Sequence, residues 1–354
     1  MTVPEASPTY PFVKEPGTGD GSAVAVADGV LWLRMPVSES LPWINVWAIE
    51  DGEGWALIDT GLRSRRTEYA WDMAFPGVLQ GRPITRVFAT HMHPDHCGMA
   101  GWIAEHHKVR LWMTRLEYLS CRRLTADTGR PVPFEAESFY RAAAWDDAAL
   151  DHYRSQFGGF GRAIHPLPEV FTRIADGDRV TIGRYEWRVV VGSGHSPEHA
   201  CLYCPDLKLF ISGDQVLPKI SSNVSVYPTE PDANPLEEWL ASLARLKERV
   251  PDDVLVLPAH GSPFHGLHSR IDRLISGHHL ALERLERSLS SPCRAIDAFP
   301  ALFARAITPD FLFMATGESI AHLTYLVRTG RAVAKVDSDG VTWWHSAHQQ
   351  RVQE

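Results

Sequence analysis

The sequence predicts an α/β domain that carries a helical appendage toward its C-terminal end. Three observations predict it. Short apolar runs bounded by turn residues fill the first third and return between Tyr185 and Ser212. Helical patterns alternate with them, most plainly over Pro235 to Arg249, where Leu236, Trp239, Leu240, Leu243 and Leu246 recur at helical spacing. From His268 onward the pattern becomes almost wholly helical.

In chain order, Gly29 to Val37, Trp43 to Glu50 and Gly54 to Asp59 read as strands, the last behind the turn Asp51 to Gly54. Ile84 to Thr90 is a further strand, Gly98 to His107 a helix, and Val109 to Met113 a returning strand. An insertion follows over Arg115 to Pro168. It is helical across Tyr140 to Phe157 and rich in aromatics (Phe134, Phe139, Tyr140, Trp145, Tyr153, Phe157, Phe160). Such a segment can pack on the domain, form an apolar wall over a site, or do both. Tyr185 to Val191, Ala200 to Cys204 and Leu207 to Ser212 form a second strand series.

The appendage reads as three helices, Ile271 to Leu289, Arg294 to Ala306 and Glu318 to Arg328, the last opened by Thr316 and Gly317. A hairpin, Arg331 to Val336 and Val341 to Trp344 around an Asp-Gly turn, closes the chain. The expected division is an N-terminal arm over 1–21, a main domain over 22–267 and the appendage over 268–354.

Composition bounds the function classes. A chain of 354 residues with 44% hydrophobic content supports a large packed core. The net charge of −8 gives no general attraction to nucleic acid or anionic membrane. Five scattered cysteines with no apolar leader point to a reducing cytoplasm. No window offers the ~20 apolar residues of a membrane span, so a soluble cytoplasmic protein is expected.

The densest chemistry lies at His91-Met92-His93-Pro94-Asp95-His96, directly after the Ile84 strand. Three imidazoles and a carboxylate within six residues are costly to hold together unless a metal shares them. Mixed nitrogen and oxygen donors suit Zn²⁺ and its first-row neighbours. Further along, Asp59, His195, Asp214 and His260 each end an apolar run. A rigid sheet edge can hold ligands within the tolerance a metal requires.

These five landmarks, in this order, resemble the metallo-β-lactamase-fold superfamily over about residues 25 to 265. The resemblance implies an αββα sandwich of two mixed β-sheets flanked by helices, and it makes the appendage similar to the winged-helix-like domain of some relatives. It implies that His91, His93 and His195 bind a first divalent ion, that Asp95, His96 and His260 bind a second, and that Asp214 bridges them. The expected cofactors are two divalent metal ions, Zn²⁺ first, with Mn²⁺ or Fe²⁺ as alternatives. Asp59 would orient a metal-binding histidine. Asp214 stands where antibiotic-cleaving zinc relatives carry cysteine, and His93 where flavodiiron relatives carry glutamate, which leaves hydrolysis at a paired centre.

The catalytic residues expected are Asp95, to hold the displaced proton, and Asp59. A metal-bridging hydroxide would cleave an ester, thioester or lactone in a small, partly apolar substrate. Lys219, Asn223 and Tyr227 follow Asp214 closely enough in sequence to reach that substrate. Leu217 stands where quorum-signal lactonases carry tyrosine, which weighs against that activity. Arg63, Arg65 and Arg66 offer positive charge for an anionic tail, and His199 is a second-layer candidate. An RNA phosphodiesterase and a non-catalytic metal-binding regulator are the alternatives. The first is disfavoured by the appendage, whose ten Lys+Arg against nine Asp+Glu leave no basic face. Nucleic acid and membrane are therefore not expected partners, and the appendage is expected to serve as a structural buttress or as the surface of a homodimer.

Overall fold

The computed structural model describes residues 7–347. Residues 1–6 of the expected arm and 348–354 of the appendage lie outside the described residues. The elements are β1 (Val24–Ala27), β2 (Val30–Pro36), β3 (Trp43–Asp51), β4 (Gly54–Ile58), α1 (Arg65–Ala74), β5 (Ile84–Phe88), α2 (Pro94–Cys97), α3 (Ala100–His107), β6 (Leu111–Met113) and α4 (Arg115–Thr125). There follow α5 (Phe134–Ala142), α6 (Asp147–Gln156), α7 (Gly159–Arg162), β7 (Phe171–Arg173), β8 (Arg179–Ile182), β9 (Tyr185–Gly192), β10 (His199–Cys204), β11 (Leu209–Gly213), α8 (Pro235–Arg249) and β12 (Leu255–Pro258). The chain ends with α9 (Leu267–Ser288), the single-turn α10 (Phe299–Leu302), α11 (Leu312–Arg328), β13 (Ala332–Val336) and β14 (Thr342–Ser346).

The chain divides into two compact units. The first holds the described residues up to Gly129, Gly158–Ser222 and Leu243–Ile271. Its strands form a seven-stranded sheet in the order β1 to β7 and a five-stranded sheet in the order β12-β11-β10-β9-β8. Both sheets are mixed: β4-β5-β6-β7 and β11-β12 run parallel, and the other pairs antiparallel.

Alternation of side chains sorts each strand into two faces. One face of each sheet meets the other in a core that includes Trp32, Trp47, Ile58 and Phe88 from the large sheet and Trp187, Val189, Leu202 and Ile211 from the small one. The outer face of the large sheet is covered by Ala70 and Trp71 of α1, Ala100 and Ile103 of α3, and Tyr118 and Cys121 of α4. Strands buried on both faces explain the near-continuous apolar runs in the sequence. Cys201 and Cys204 are part of this packing.

The topology places the site. β4 and β5 are parallel neighbours, so Asp59 and His91 leave the same edge of the large sheet. β9 and β11 flank the antiparallel β10, and β12 is parallel to β11, so His195, Asp214 and His260 also leave one edge.

The second unit holds Arg130–Phe157, Asn223–Ser242 and the described residues from Asp272 on. The insertion is therefore divided, with only 130–157 in this unit. Tyr140 stacks on Trp145 at 4.1 Å between centroids, and Tyr153 packs edge-on against Tyr140 at 4.7 Å. Trp145 donates its indole N–H to Thr316 Oγ1 at 3.0 Å.

Two helix expectations need correction here. Arg294 to Ala306 is not one helix but a 3₁₀ turn, Ala295–Ala298, followed by α10, because Pro300 lacks the N–H a continuous helix would use. α11 starts at Leu312, so Thr316 and Gly317 lie inside it. A Cβ on Gly317 would sit 2.7 Å from the Val226 carbonyl, so this glycine marks close backbone packing and not a helix start. The Asp-Gly hairpin is formed, with Asp337 N bonded to Val341 O at 2.9 Å.

Candidate metal centre

The six-residue motif folds locally for identifiable reasons. β5 ends at Phe88, and Pro94 begins the short α2 with its fixed φ and missing N–H, which turns Asp95 and His96 back over the strand end. Asp59 takes φ 59°, the left-handed region uncommon for a residue other than glycine. There its carboxylate accepts Thr90 N and Thr90 Oγ1, each at 2.8 Å, and meets His96 Nδ1 at 2.8 Å. The aspartate fixes the His96 ring so that Nε2 faces Asp214 Oδ2 at 3.5 Å and Asp95 Oδ2 at 3.8 Å.

The remaining groups converge from the other sheet. His195 Nε2 lies 3.3 Å from Asp214 Oδ2. His260 Nε2 lies 3.2 Å from Asp95 Oδ2 and 3.6 Å from Asp214 Oδ1. Its other nitrogen donates to the Trp43 carbonyl at 2.9 Å, which fixes the tautomer and leaves Nε2 for the site. His91 Nε2 and His93 Nδ1 stand 2.8 Å apart. All seven predicted ligands are thus brought together.

They separate into two groups whose ligand atoms lie within 4.8 Å of one another: His91, His93, His195 and Asp214, and then Asp95, His96 and His260. His96 Nε2 and Asp214 Oδ1 are buried and have no hydrogen-bond partner among the described residues. Buried polar atoms without partners are costly and rare, and imidazole nitrogen with carboxylate oxygen is what a borderline divalent cation accepts. The residues fit a metal site.

The electrostatics divide the cluster into two poles. Burial, with the neighbouring imidazoles His96 and His93, pushes His91 well below the usual histidine range, and burial with His195 pushes His93 down to about 3. Burial also opposes protonation of His96, but Asp214, Asp59 and Asp95 outweigh it and hold that ring well above its ordinary value. His260 is raised in the same way by Asp214 and Asp95 against burial. Asp95 is buried, yet His96 and His260 hold its pKa at about 2. The first pair favours neutral imidazole, the form that ligates; the second is made more basic by the carboxylates, so a proton and a cation compete for it.

Two supporting residues went unassigned or half-assigned in the sequence. His199, buried in β10, accepts the Asp214 amide at Nε2 over 3.0 Å, so its proton sits on Nδ1, 3.6 Å from Cys201 Sγ. Asn45 in β3 donates to the Pro258 carbonyl at 2.8 Å and the Gly261 carbonyl at 2.6 Å, and accepts Trp32 Nε1 at 2.8 Å. It ties the His260 loop to the opposite sheet. An asparagine inside the apolar run Trp43 to Ile49 is the signal that could have found it.

Of the three expected substrate contacts, Lys219 belongs to the first unit and Asn223 and Tyr227 to the second. Lys219 is exposed, with its ammonium 5.8 Å from the Tyr10 ring centre. Asn223 belongs to the second unit, where it donates to Glu318 Oε2 at 2.8 Å and accepts Ser225 Oγ at 2.6 Å. Tyr227 sits beside it, its hydroxyl 3.5 Å from Asn223 Oδ1.

With this geometry in hand, the comparisons with known proteins are direct. Residues 44–260 match the family model described as the metallo-β-lactamase superfamily. The chain belongs to that superfamily. Residues 282–347 match a model described as the metallo-β-lactamase-like C-terminal domain. Among solved structures, a β-lactamase domain protein from Burkholderia ambifaria is 39% identical with a TM-score of 0.87, over 96% of this chain and 98% of that one. A metallo-β-lactamase family protein from Thermus thermophilus is 25% identical with a TM-score of 0.75, over 91% and 100%. The acyl-coenzyme A thioesterase MBLAC2 of Bos taurus is 27% identical over 72% of this chain and 85% of its own length. Superfamily membership and the His/Asp cluster make the chain a hydrolase at the general level. No helix among the described residues is long and apolar enough to cross a membrane.

Proposed function

We propose that the protein is a dinuclear metal hydrolase that cleaves a thioester of the acyl-coenzyme A class, with simple esters and lactones as lesser substrates. The observation that carries this reading is the seven-ligand cluster, in which Asp214 stands within 3.3–3.6 Å of His195, His96 and His260. The likeness to an acyl-coenzyme A thioesterase over most of both chains supports the thioester.

Residues His91, His93, His195 and Asp214 would hold one divalent ion, and Asp95, His96, His260 and Asp214 the other. Bound divalent ions supply Lewis acidity and a water that ionises near neutral pH. Asp59 and His199 fix the His96 ring and the Asp214 backbone, so the ligand atoms need little rearrangement. Asp95, held as a carboxylate by His96 and His260, would be the group placed to receive a proton released at the site. A thiol leaving group, with an ordinary pKa near ~8.5, departs without a strong general acid, which suits a cluster whose acidic groups are ionised.

Arg65 and Arg66 lie exposed at the start of α1. Their loop packs on Gly98, where a Cβ would stand 2.6 Å from Arg63 N. They would supply positive charge for the phosphates of a coenzyme A ester. The test is hydrolysis of acyl-coenzyme A, acyl-pantetheine, lactone and phosphodiester panels by metal-loaded protein and by Asp95→Asn. Thioester turnover that falls at least ~100-fold in the variant, with KM rising on Arg65→Glu/Arg66→Glu only for the phosphate-bearing ester, is expected. Phosphodiester turnover exceeding thioester turnover would overturn the substrate class.

A further inference from the structure

Glu117 has no part in the ligand set, yet it is one of the most completely enclosed charged groups in the first unit. It lies in the first turn of α4 with 0% of its surface exposed. Its Oε2 accepts the Met92 amide at 2.9 Å, and its Oε1 accepts the Glu198 amide at 2.8 Å. Met92 stands between the ligands His91 and His93. Glu198 stands three residues beyond the ligand His195. One carboxylate therefore grips, with its two oxygens, the two loops that supply the imidazoles of the first ion group.

The grip is reinforced on both sides. Cys97 Sγ donates to the Met92 carbonyl at 3.0 Å, so that peptide is held at its oxygen as well as its nitrogen. Glu198 returns the contact to α4: its Oε2 accepts Leu116 N at 2.8 Å, and its carbonyl accepts Thr114 Oγ1 at 2.8 Å. Among the described residues no lysine or arginine pairs with Glu117. A buried carboxylate without a cationic partner is expensive to keep for packing alone, and an apolar side chain of like volume would fill the space but leave the Met92 and Glu198 amides without this acceptor.

We propose that Glu117 is the positioning residue of the first ion site, holding the His91–His93 loop and the His195–Glu198 loop in one register so that three imidazoles converge. The inference rests on the metal-centre reading of the cluster. It concerns a residue outside that cluster, and its test does not use turnover. The clamp also makes a prediction that needs no metal: the Met92 and Glu198 amides are protected together by one side chain.

The test uses the full chain stripped with chelator, with Glu117→Gln, Glu117→Ala and, as a control, Glu198→Ala. Glu198→Ala removes the bond to Leu116 N and keeps both bonds to Glu117. Amide exchange is followed over the peptides that contain Met92 and Glu198, and Co²⁺ is titrated against a chromophoric competitor with its visible absorption recorded. Glu117→Ala should lose protection at both amides together. It and Glu117→Gln should bind Co²⁺ at the first site ~10–100-fold more weakly, with the second site changed far less and the first-site spectrum altered.

Glu198→Ala should lower the melting midpoint while first-site affinity stays within about threefold of the parent, well under that range. Loss of protection at one amide only, equal weakening of both ion sites, or a Glu198→Ala affinity loss as large as that of Glu117→Ala would overturn the proposal. Stripped parent protein that takes up no Co²⁺ would instead remove the metal-centre reading, and the exchange result would still decide whether the clamp exists.

Discussion

The Asp59 carboxylate meets His96 Nδ1 at 2.8 Å with both groups withdrawn from solvent, and its second oxygen is occupied by Thr90 N. The aspartate thus sets one ring nitrogen so that the other is available to an ion. Asp59→Asn keeps the shape and removes the charge. It should weaken binding at the second site by ~10–100-fold and leave the first site nearly intact. Competitive Zn²⁺ titration measures this, and an unchanged second-site affinity would mean that Asp59 serves only the turn.

Asn45 bonds two carbonyls of the His260 loop and one buried indole. Asn45→Ala leaves those groups without partners, each at about 1–3 kcal/mol when no water replaces the amide. Equilibrium unfolding should show a loss of about 3 kcal/mol or more, with the second ion bound more weakly. A loss below about 0.5 kcal/mol would show that the loop is held elsewhere.

The two poles of the cluster should separate on acidification. Asp214 and the neighbouring carboxylates raise His96 and His260, against burial, so protons compete with an ion there as pH falls through these elevated values. His91 and His93 are pushed down by burial, His93 to about 3, so protons compete there only at much lower pH. Lowering pH from 8 should therefore release the second ion before the first. Co²⁺ spectra recorded across the range test this, and simultaneous release or the opposite order would contradict the division.

In the second unit, burial raises Glu318 to about 7 against the hydrogen bond from Asn223. A carboxyl whose folded pKa exceeds its unfolded value costs stability as pH rises between the two. Glu318→Gln keeps an acceptor for Asn223 and removes the charge, so it should match the parent near pH 4 and exceed it by about 1–3 kcal/mol at pH 8. Unfolding curves at the two pH values decide it; a pH-independent difference would assign the effect to packing.

The His/Asp cluster is legible in the sequence because chemistry and periodicity coincide in it: each of Asp59, His91, His195, Asp214 and His260 ends an apolar run, and the parallel pairs β4-β5 and β11-β12 bring those ends to common edges. Supporting residues were less legible. Nothing local distinguishes Glu117 from any acidic residue in a first helical turn, since its partners lie 25 and 81 positions away. His199 was a candidate only by nearness to His195, and its tie to the Asp214 amide is a tertiary fact. The sequence puts the start of α11 too late because a glycine reads as punctuation, whereas Gly317 serves a close backbone approach to Val226.

The aromatic insertion shows where pattern runs out. Tyr140, Trp145, Tyr153 and Phe157 were equally consistent with packing and with an apolar wall. Tyr140 stacks on Trp145, Tyr153 meets both rings edge-on, Trp145 is anchored to Thr316, and Phe157 meets Tyr153 edge-on at 5.9 Å. Composition could not choose the partners of these rings, because apolar contact is non-directional.

The central claim, a two-ion hydrolytic centre, is tested most directly by titrating chelator-stripped protein with Zn²⁺ while following acyl-coenzyme A hydrolysis and bound metal by elemental analysis. The account predicts two equivalents per chain, with turnover rising chiefly on the second, and loss of both sites in Asp214→Ala but mainly of the second in His260→Ala. Saturation at one equivalent with full activity, or no metal uptake at all, would contradict it.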